Sequence, residues 1–149
     1  MYNFLVILLV FMFVVHALAL GGFLGYGLWW LDMVLHFLGG VLLVVFAFWF
    51  LFVYKKNPGI ESQDWIPKIP KPLLFLGLVS FAVLGGVLWE FLEFSWDYFF
   101  AKPYSAELAQ LTLEDTLSDL FFDLVGASVA TFCLSYYYRL GFRNSKKGE

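Results

Sequence analysis

Four long apolar stretches, separated by short polar segments, dominate the pattern of residues along the chain. They run from about residue 3 to 22, 29 to 54, 72 to 100 and 115 to 140. A helix needs about 20 mostly apolar residues to cross the hydrocarbon core of a bilayer, so each stretch is long enough to span it. The pattern predicts an all-α, polytopic membrane protein in which four transmembrane helices form a small bundle, with residues 1–149 as a single membrane domain.

The polar segments between the later stretches predict two loops. Residues 55–71 read KKNPGIESQDWIPKIPK, and their prolines prevent a continuous helix. Residues 101–114 form a shorter connection on the opposite side of the membrane. The second and third stretches exceed the minimum length for a span, so these helices either tilt or project beyond the hydrocarbon.

The first stretch has an alternative interpretation as a signal peptide. Ala17 and Ala19, with one residue between them, resemble a signal-peptidase site after an apolar run. Residues 1–5 contain no Lys or Arg, whereas a signal peptide normally begins with a positive region. We therefore expect the first stretch to remain uncut as a transmembrane helix.

Composition defines the solvent of this chain and excludes one class of partner. Hydrophobic residues make up 62% of the sequence and charged residues only 14%, whereas soluble domains contain about 25% charged residues. The sequence has no basic stripe interleaved with aromatic residues and no phosphate-binding loop, so we expect no nucleic-acid partner. Cys133 is the only cysteine, which excludes an intrachain disulfide.

The basic residues predict the orientation of the chain in the membrane. With four spans, the 55–71 loop and the C-terminal tail lie on the same side. That side holds eight of the nine basic residues: Lys55, Lys56, Lys68, Lys71, Arg139, Arg143, Lys146 and Lys147. The opposite side holds only Lys102. The positive-inside rule then places both termini and the middle loop in the cytoplasm.

Ionisable residues form one stripe on each of three predicted helices. The stripes are Asp32 and His36 on the second helix, Glu90, Glu93 and Asp97 on the third, and Asp115, Asp119 and Asp123 on the fourth. Spacings of three, four, seven and eight residues place the members of each stripe on one helix face. Because a charged stripe facing lipid is costly, the three stripes are expected to face each other or a water-filled cleft.

The depth of the stripes predicts a pocket that opens to the outside. His36, Glu90 and Asp123 lie roughly 10 to 15 Å below the outer ends of their helices, so they are expected to share a layer at its base. The wall would carry Asp32, Glu93 and Asp119, and the rim Asp97 and Asp115. Small residues near this layer, which allow close packing of transmembrane helices, would form its floor: Gly39, Gly40, Gly85, Gly86 and Gly126.

So many carboxyl groups in one apolar environment predict a means of charge compensation. Either some of the acids remain protonated or a cation binds among them. One imidazole together with several carboxylates suits one divalent ion, Mg²⁺, Mn²⁺ or Zn²⁺. In this interpretation His36, Glu90 and Asp123 are metal ligands, and Glu93 or Asp119 is the catalytic general base.

Three functions remain open from these residues. The first is a metal-dependent enzyme that acts on a lipid or lipid-linked headgroup reached laterally between the helices. The second is a cation or proton transporter or a channel subunit. The third is a structural or accessory membrane protein, possible as an oligomer, whose polar network sets the register of its helices. In each case membrane lipids are partners of the chain.

Three short motifs resemble those of a known group of membrane proteins. D-x3-H-x2-G-G at 32–40, W-E-x2-E at 89–93 and D-T-x2-D-x3-D-x2-G at 115–126 are similar to motifs of small bacterial multipass proteins of the VanZ-like kind, with the YjdF-type proteins the most similar. The likeness covers about residues 29–130. It implies a protein of the bacterial plasma (inner) membrane. VanZ-like proteins are linked to teicoplanin resistance, but this chain has acids in its later helices where that pattern has amides, so the resistance role is not carried over.

Overall fold

The structure is a computed structural model that describes residues 1–20, 29–54, 69–106 and 108–137. Within these ranges all regular secondary structure is helical, which confirms the predicted all-α class. The α-helices are α1 (Tyr2–Leu20), α2 (Trp29–Phe48), α3 (Lys71–Trp96), the short α4 (Lys102–Tyr104) and α5 (Leu113–Tyr137). Four helical segments are long and apolar enough to cross a membrane, as the hydropathy pattern predicts.

Two of the spanning segments are extended by π-helical turns. Residues Trp49–Tyr54 continue α2, and Asp97–Ala101 join α3 to α4. The third span therefore reaches 34 residues, Lys71–Tyr104, and continues beyond the predicted end at residue 100. Residues 21 and 22 of the first predicted stretch, 55–68 of the middle loop and 138–149 at the C-terminus lie outside the described residues.

Helix α5 begins at a side-chain cap. The Asp115 backbone N–H donates to the hydroxyl oxygen of Thr112 at 3.2 Å, and the Asp115 carboxylate accepts from the Leu111 backbone N–H at 3.2 Å. These contacts satisfy donors that a helix start otherwise leaves free. The cap fixes the position at which the preceding loop enters α5, the membrane helix that carries Asp119 and Asp123.

Helices α2, α3 and α5 form the centre of the bundle, and α1 packs beside α2. Their apolar core occupies the half of the bundle that the sequence assigns to the cytoplasmic side. It consists of Val44, Ala47, Phe48, Phe52, Leu78, Val79, Ala82, Ala127 and Ala130. The other half of the same three helices holds the buried acids and His36. The outward faces expose large apolar side chains, as a lipid environment requires.

Two glycines allow α2 and α5 to pack closely. A methyl group at Gly40 would meet the carbonyl oxygen of Asp123 and the backbone nitrogen of Ala127. A methyl group at Gly126 would meet the carbonyl oxygen of Phe37. Backbone atoms cannot move aside as a flexible side chain can, so only glycine fits at this crossing. The close contact brings the acidic face of α5 next to His36 on α2.

Candidate functional site: a buried histidine among carboxylates

The imidazole of His36 is the centre of the polar layer, with contacts to three carboxylates from three helices. Its Nδ1 lies 3.1 Å from Oδ2 of Asp123 on α5. Its Nε2 lies 3.7 Å from Oε1 of Glu90 on α3 and 3.8 Å from Oδ1 of Asp32, one turn earlier on α2. The His36 side chain is only 5% exposed. The three ionisable stripes of the sequence therefore face each other inside the bundle.

Two overlapping groups around His36 have the spacing of metal ligands. Asp32, His36 and Asp119 form one group, and His36, Glu90 and Glu93 form the other. In each group one ligand atom from every residue lies within 4.8 Å of the others. His36 belongs to both groups, so its imidazole lies where the two groups meet.

Three buried polar atoms in this cluster have no hydrogen-bond partner within the described part of the chain. They are Nε2 of His36, Oε1 of Glu90 and Oδ1 of Asp119. Buried polar groups in proteins are nearly always paired, because an unpaired group loses its hydration without compensation. Glu90 and Asp119 belong to different groups, so each group contains the unpaired imidazole nitrogen and one unpaired carboxylate oxygen, which are donors suited to a divalent cation.

Asp123 contacts Nδ1 of the imidazole, the ring nitrogen opposite the unpaired Nε2. When Nδ1 of His36 donates its proton to the Asp123 carboxylate, Nε2 presents its lone pair toward Glu90 and Asp32. A carboxylate bound to the second ring nitrogen is a common way to orient a metal-binding histidine. Asp123, which the sequence suggested as a ligand, thus lies against Nδ1 of His36 and belongs to neither of the two groups with metal-ligand spacing.

Glycines make room for the Asp123 carboxylate between α2 and α3. A methyl group at Gly86 would meet its Oδ2, and one at Gly39 would lie 3.5 Å from its Oδ1. Gly85 faces the side chain of Leu43 on α2. These three glycines surround the base of the cluster, while Gly40 and Gly126 serve the crossing of α2 and α5 described above.

Glu93 is held by a tryptophan on its own helix. The indole N–H of Trp89 donates to Oε1 of Glu93 at 2.8 Å. The Trp89 ring in turn makes an edge contact with His16 of α1, with ring centroids 5.4 Å apart. Through these contacts α1, which carries no acid, is connected to the acidic cluster.

The loop between α4 and α5 folds over the cluster through Gln110, a residue that the sequence did not single out. Its side-chain amide donates to Oε2 of Glu90 at 2.8 Å and to the hydroxyl oxygen of Thr116 at 2.7 Å. The Asp97 carboxylate accepts from the backbone N–H groups of Ala109 at 2.7 Å and Gln110 at 3.0 Å. In the sequence, Gln110 is visible only as an amide side chain in the segment AQLTL. That pattern does not predict which helices the loop contacts.

The two acids predicted at the rim both bind the loop. Asp97 holds residues 109 and 110, and Asp115 holds residue 111 as part of the α5 cap. Neither belongs to the two groups with metal-ligand spacing. The rim residues therefore shape the cover of the cluster, and the five side chains beneath it form the cluster itself: Asp32, His36, Glu90, Glu93 and Asp119.

A cavity of about 330 Å³ lies beside the cluster. Asp32, His36 and Asp123 line one part of it, and His16 together with mostly apolar residues of α1, α2 and α3 lines the rest. The sequence suggested a pocket between α2, α3 and α5 alone. The structure adds α1 as a wall, because this helix packs against the face of α2 that carries Gly39.

Comparisons with known proteins identify relatives of this chain. Residues 1–140 match the family described as predicted membrane protein (DUF2238). Over 95 residues the chain is 36% identical to an uncharacterized protein of Thermotoga maritima, a match that covers 64% of this chain and 42% of that relative. The matched region thus spans less than half the length of the relative. No solved structure matches the chain.

Proposed function

The chain belongs to the family of predicted membrane proteins described as DUF2238, and we propose that it is a membrane-embedded enzyme that uses one divalent metal ion. A single observation carries the proposal. Among the described residues the buried Nε2 of His36 has no hydrogen-bond partner, and it lies 3.7 Å from Oε1 of Glu90, which also lacks one. A cation at this position would pair with all of these atoms and offset the negative charge of the buried acids.

The proposed ligands are drawn from the two groups that share His36. Nε2 of His36 and Oε1 of Glu90 would bind the ion, with Oδ1 of Asp119 as the third unpaired atom available to it. This assignment replaces Asp123 by Asp119 in the ligand set suggested by the sequence. Glu93 then remains as the general base, oriented by the indole of Trp89. The predominance of oxygen donors favours Mg²⁺ or Mn²⁺ over Zn²⁺.

The proposed substrate is a lipid or lipid-linked molecule of the cell envelope. A divalent ion at the cluster would polarise a phosphoryl or ester oxygen, or activate a bound water. Neither Lys nor Arg is among the described residues that line the neighbouring cavity, so the ion would supply the positive charge that a phosphate needs. Reaction of a lipid headgroup is consistent with a site that lies between helices within the membrane.

The membrane orientation and the cellular location are part of the same proposal. The basic residues favour cytoplasmic termini in a bacterial plasma membrane, so the cluster would lie in the outer half of the bilayer. The likeness of the short motifs to VanZ-like and YjdF-type proteins supports a role at the cell envelope. Cell-wall precursors linked to lipid are one class of substrate present on that side.

A structural polar network is the second candidate, and one observation favours it. Gln110 and Trp89 donate to Glu90 and Glu93 without the help of any ion. In this alternative some acids are protonated and the layer merely fixes the register of the helices. A continuous cation path is less favoured, because the apolar core around Val44, Phe48 and Ala82 closes the other half of the bundle.

Metal analysis and thermal unfolding of purified protein test the proposal. Wild type should retain close to one equivalent of a divalent metal, and a chelator should lower its melting temperature by mass action. Glu90→Gln keeps an acceptor for Gln110 but removes one charge, so it should bind less metal and respond little to the chelator. Glu114→Gln changes an exposed acid on α5 and serves as the matched control.

The alternatives give different results in the same experiment. If the layer is only structural, Glu90→Gln should melt at the same temperature as wild type or higher, since like-charge repulsion is relieved, and chelator should have no effect. A cation path would leave folding intact in Glu90→Gln and abolish ion flux in proteoliposomes. Wild type that is insensitive to chelator and free of metal overturns the metal-site proposal.

A further inference from the structure

The 330 Å³ cavity beside the cluster is amphipathic along its length. Its polar end is formed by Asp32, His36 and Asp123. Its remaining walls are apolar, with Leu9 and Met12 among the contributions of α1 and α2, α3 supplying the others. Along α2 the residues that line the cavity thus change from ionisable, at Asp32 and His36, to apolar, at Leu42 and Leu43.

The length of this cavity corresponds to one leaflet of a bilayer. On α2 its lining residues run from Asp32 to Leu43, a rise of about 16 Å at 1.5 Å per residue. The hydrocarbon core of a bilayer is about 30 Å thick, so the cavity extends through about half of it. Its volume is at the low end of the range of about 300 to 1,000 Å³ for ligand pockets, which suits one chain better than two.

The absence of side chains on three glycines maintains this space. Gly39, Gly85 and Gly86 all line the cavity. A methyl group at Gly39 would lie 3.8 Å from the terminal carbon of Met12 across the cavity, which is ordinary contact. At Gly39, unlike at Gly40, Gly85, Gly86 and Gly126, an added methyl group is sterically tolerated, so close packing does not explain the glycine at this position.

Helix α1 is the wall that faces the surrounding lipid. Several of its large side chains that do not line the cavity, including Ile7 at 67% and Phe11 at 53% exposure, lie at the surface of the bundle. It packs mainly on α2, and its contact with α3 includes the His16–Trp89 ring pair at the polar end of the cavity. A chain from the bilayer therefore has only this one helix between it and the cavity.

We infer that the cavity binds one acyl chain of a membrane phospholipid, with the headgroup at the Asp32–His36 end. The apolar walls match the chain, and His36 at the polar end, whose Nε2 has no hydrogen-bond partner among the described residues, would hold a headgroup oxygen through a cation. The identity of the headgroup contact rests on the proposed function, but binding of the chain does not. The inference defines the substrate class of the site as a phospholipid that enters from the side.

Photocrosslinking in nanodiscs tests this inference on the wild-type protein. The discs contain phosphatidylethanolamine and phosphatidylglycerol, with a small fraction of phosphatidylglycerol that carries a diazirine in the middle of one acyl chain. Mass spectrometry should locate adducts on Met12, Leu42 and Leu43, which line the cavity. Unlabelled phosphatidylglycerol should compete for these adducts in a saturable way. Adducts restricted to outward-facing residues such as Leu84 and Leu88 would overturn the inference.

A matched pair of substitutions adds a second test. Leu42→Trp fills the cavity and should abolish the cavity adducts, whereas Leu84→Trp makes the same change on a side chain that is 58% exposed and should retain them. Gly39→Ala, which the packing tolerates, should reduce adduct yield at Met12 while the melting temperature is unchanged. Equal adduct yields in Leu42→Trp and Leu84→Trp would contradict binding in the cavity.

Chelator separates this inference from the proposed function. Cavity adducts in wild type that is free of metal as purified and insensitive to chelator would establish the acyl-chain site and overturn the metal-dependent enzyme. Metal bound at one equivalent with no cavity adducts would support the metal site and overturn the acyl-chain site. Each result is read from a different measurement, so neither can substitute for the other.

Discussion

The Nδ1 atom of His36 lies 3.1 Å from Oδ2 of Asp123, a residue 87 positions later in the chain. This hydrogen bond joins α2 to α5 in the half of the bundle that contains the buried acids. It also determines which ring nitrogen remains available for another contact. With Nδ1 bound to Asp123, Nε2 points to Glu90 and Asp32. The contact thus links helix packing to the chemistry that the cluster can perform.

Loss of the Asp123 charge should weaken metal binding without removing a ligand. In Asp123→Asn the imidazole loses the carboxylate that orients it, and we expect metal affinity to fall by about 10-fold to 100-fold, as for other residues that support a metal-bound histidine. Competition with a fluorescent chelator measures the affinity. Glu114→Gln, on the same helix but exposed, should bind metal as wild type does. Unchanged affinity in Asp123→Asn would remove the positioning role.

Asp97 should hold the loop between α4 and α5 over the cluster. Its carboxylate accepts two backbone N–H bonds, from Ala109 and Gln110, and bonds to a charged acceptor contribute about 1.5 to 3 kcal/mol each. In Asp97→Asn the neutral side chain accepts more weakly, so hydrogen exchange at these two amides should accelerate by at least about 10-fold. Exchange in the middle of α3, at Ala82, is the internal control. Exchange at 109 and 110 equal to that of wild type would show that the loop is held by other contacts.

The crossing of α2 and α5 should not tolerate a side chain at Gly126. Because its added methyl group would meet the carbonyl oxygen of Phe37, Gly126→Ala should destabilise the protein by about 1 to 3 kcal/mol. Gly77 has no heavy atom within 4 Å of the same position, so Gly77→Ala should be neutral or slightly stabilising through helix propensity. Thermal unfolding in detergent compares the two variants. Equal melting temperatures would contradict the close packing of these helices.

The basic residues predict that the loop after α4 faces the outside of the cell. A cysteine at Ala106, exposed in that loop, should react with a membrane-impermeant maleimide on intact cells. A cysteine at Ser62, which lies outside the described residues, should react only after the cells are opened. Both variants need Cys133→Ser as background, since Cys133 is exposed. The reverse pattern of labelling would invert the topology and place the cluster in the inner half of the membrane.

The sequence by itself determined the class of fold and the residues that meet in the cluster. Four apolar stretches of spanning length can only be helices in a bilayer, because every backbone polar group must be satisfied within its own segment. On such helices ionisable residues spaced three or four apart share a face. Exposing that face to lipid is energetically costly, so it turns toward the interior of the bundle or toward water. These two facts predict that the faces carrying His36 and Glu90 turn toward each other or toward a water-filled cleft, and the structure shows the two side chains in contact.

The tertiary structure decided what each of these residues can do. Whether Asp119 or Asp123 faces the free nitrogen of His36 depends on helix rotation and side-chain rotamers, differences of a few ångströms that sequence spacing does not encode. The position of Gln110 depends on the path of a loop, which Asp97 directs through contacts 12 and 13 residues away. The cavity exists because α1 packs against the glycine face of α2, and a uniformly apolar helix carries no pattern that specifies its partner.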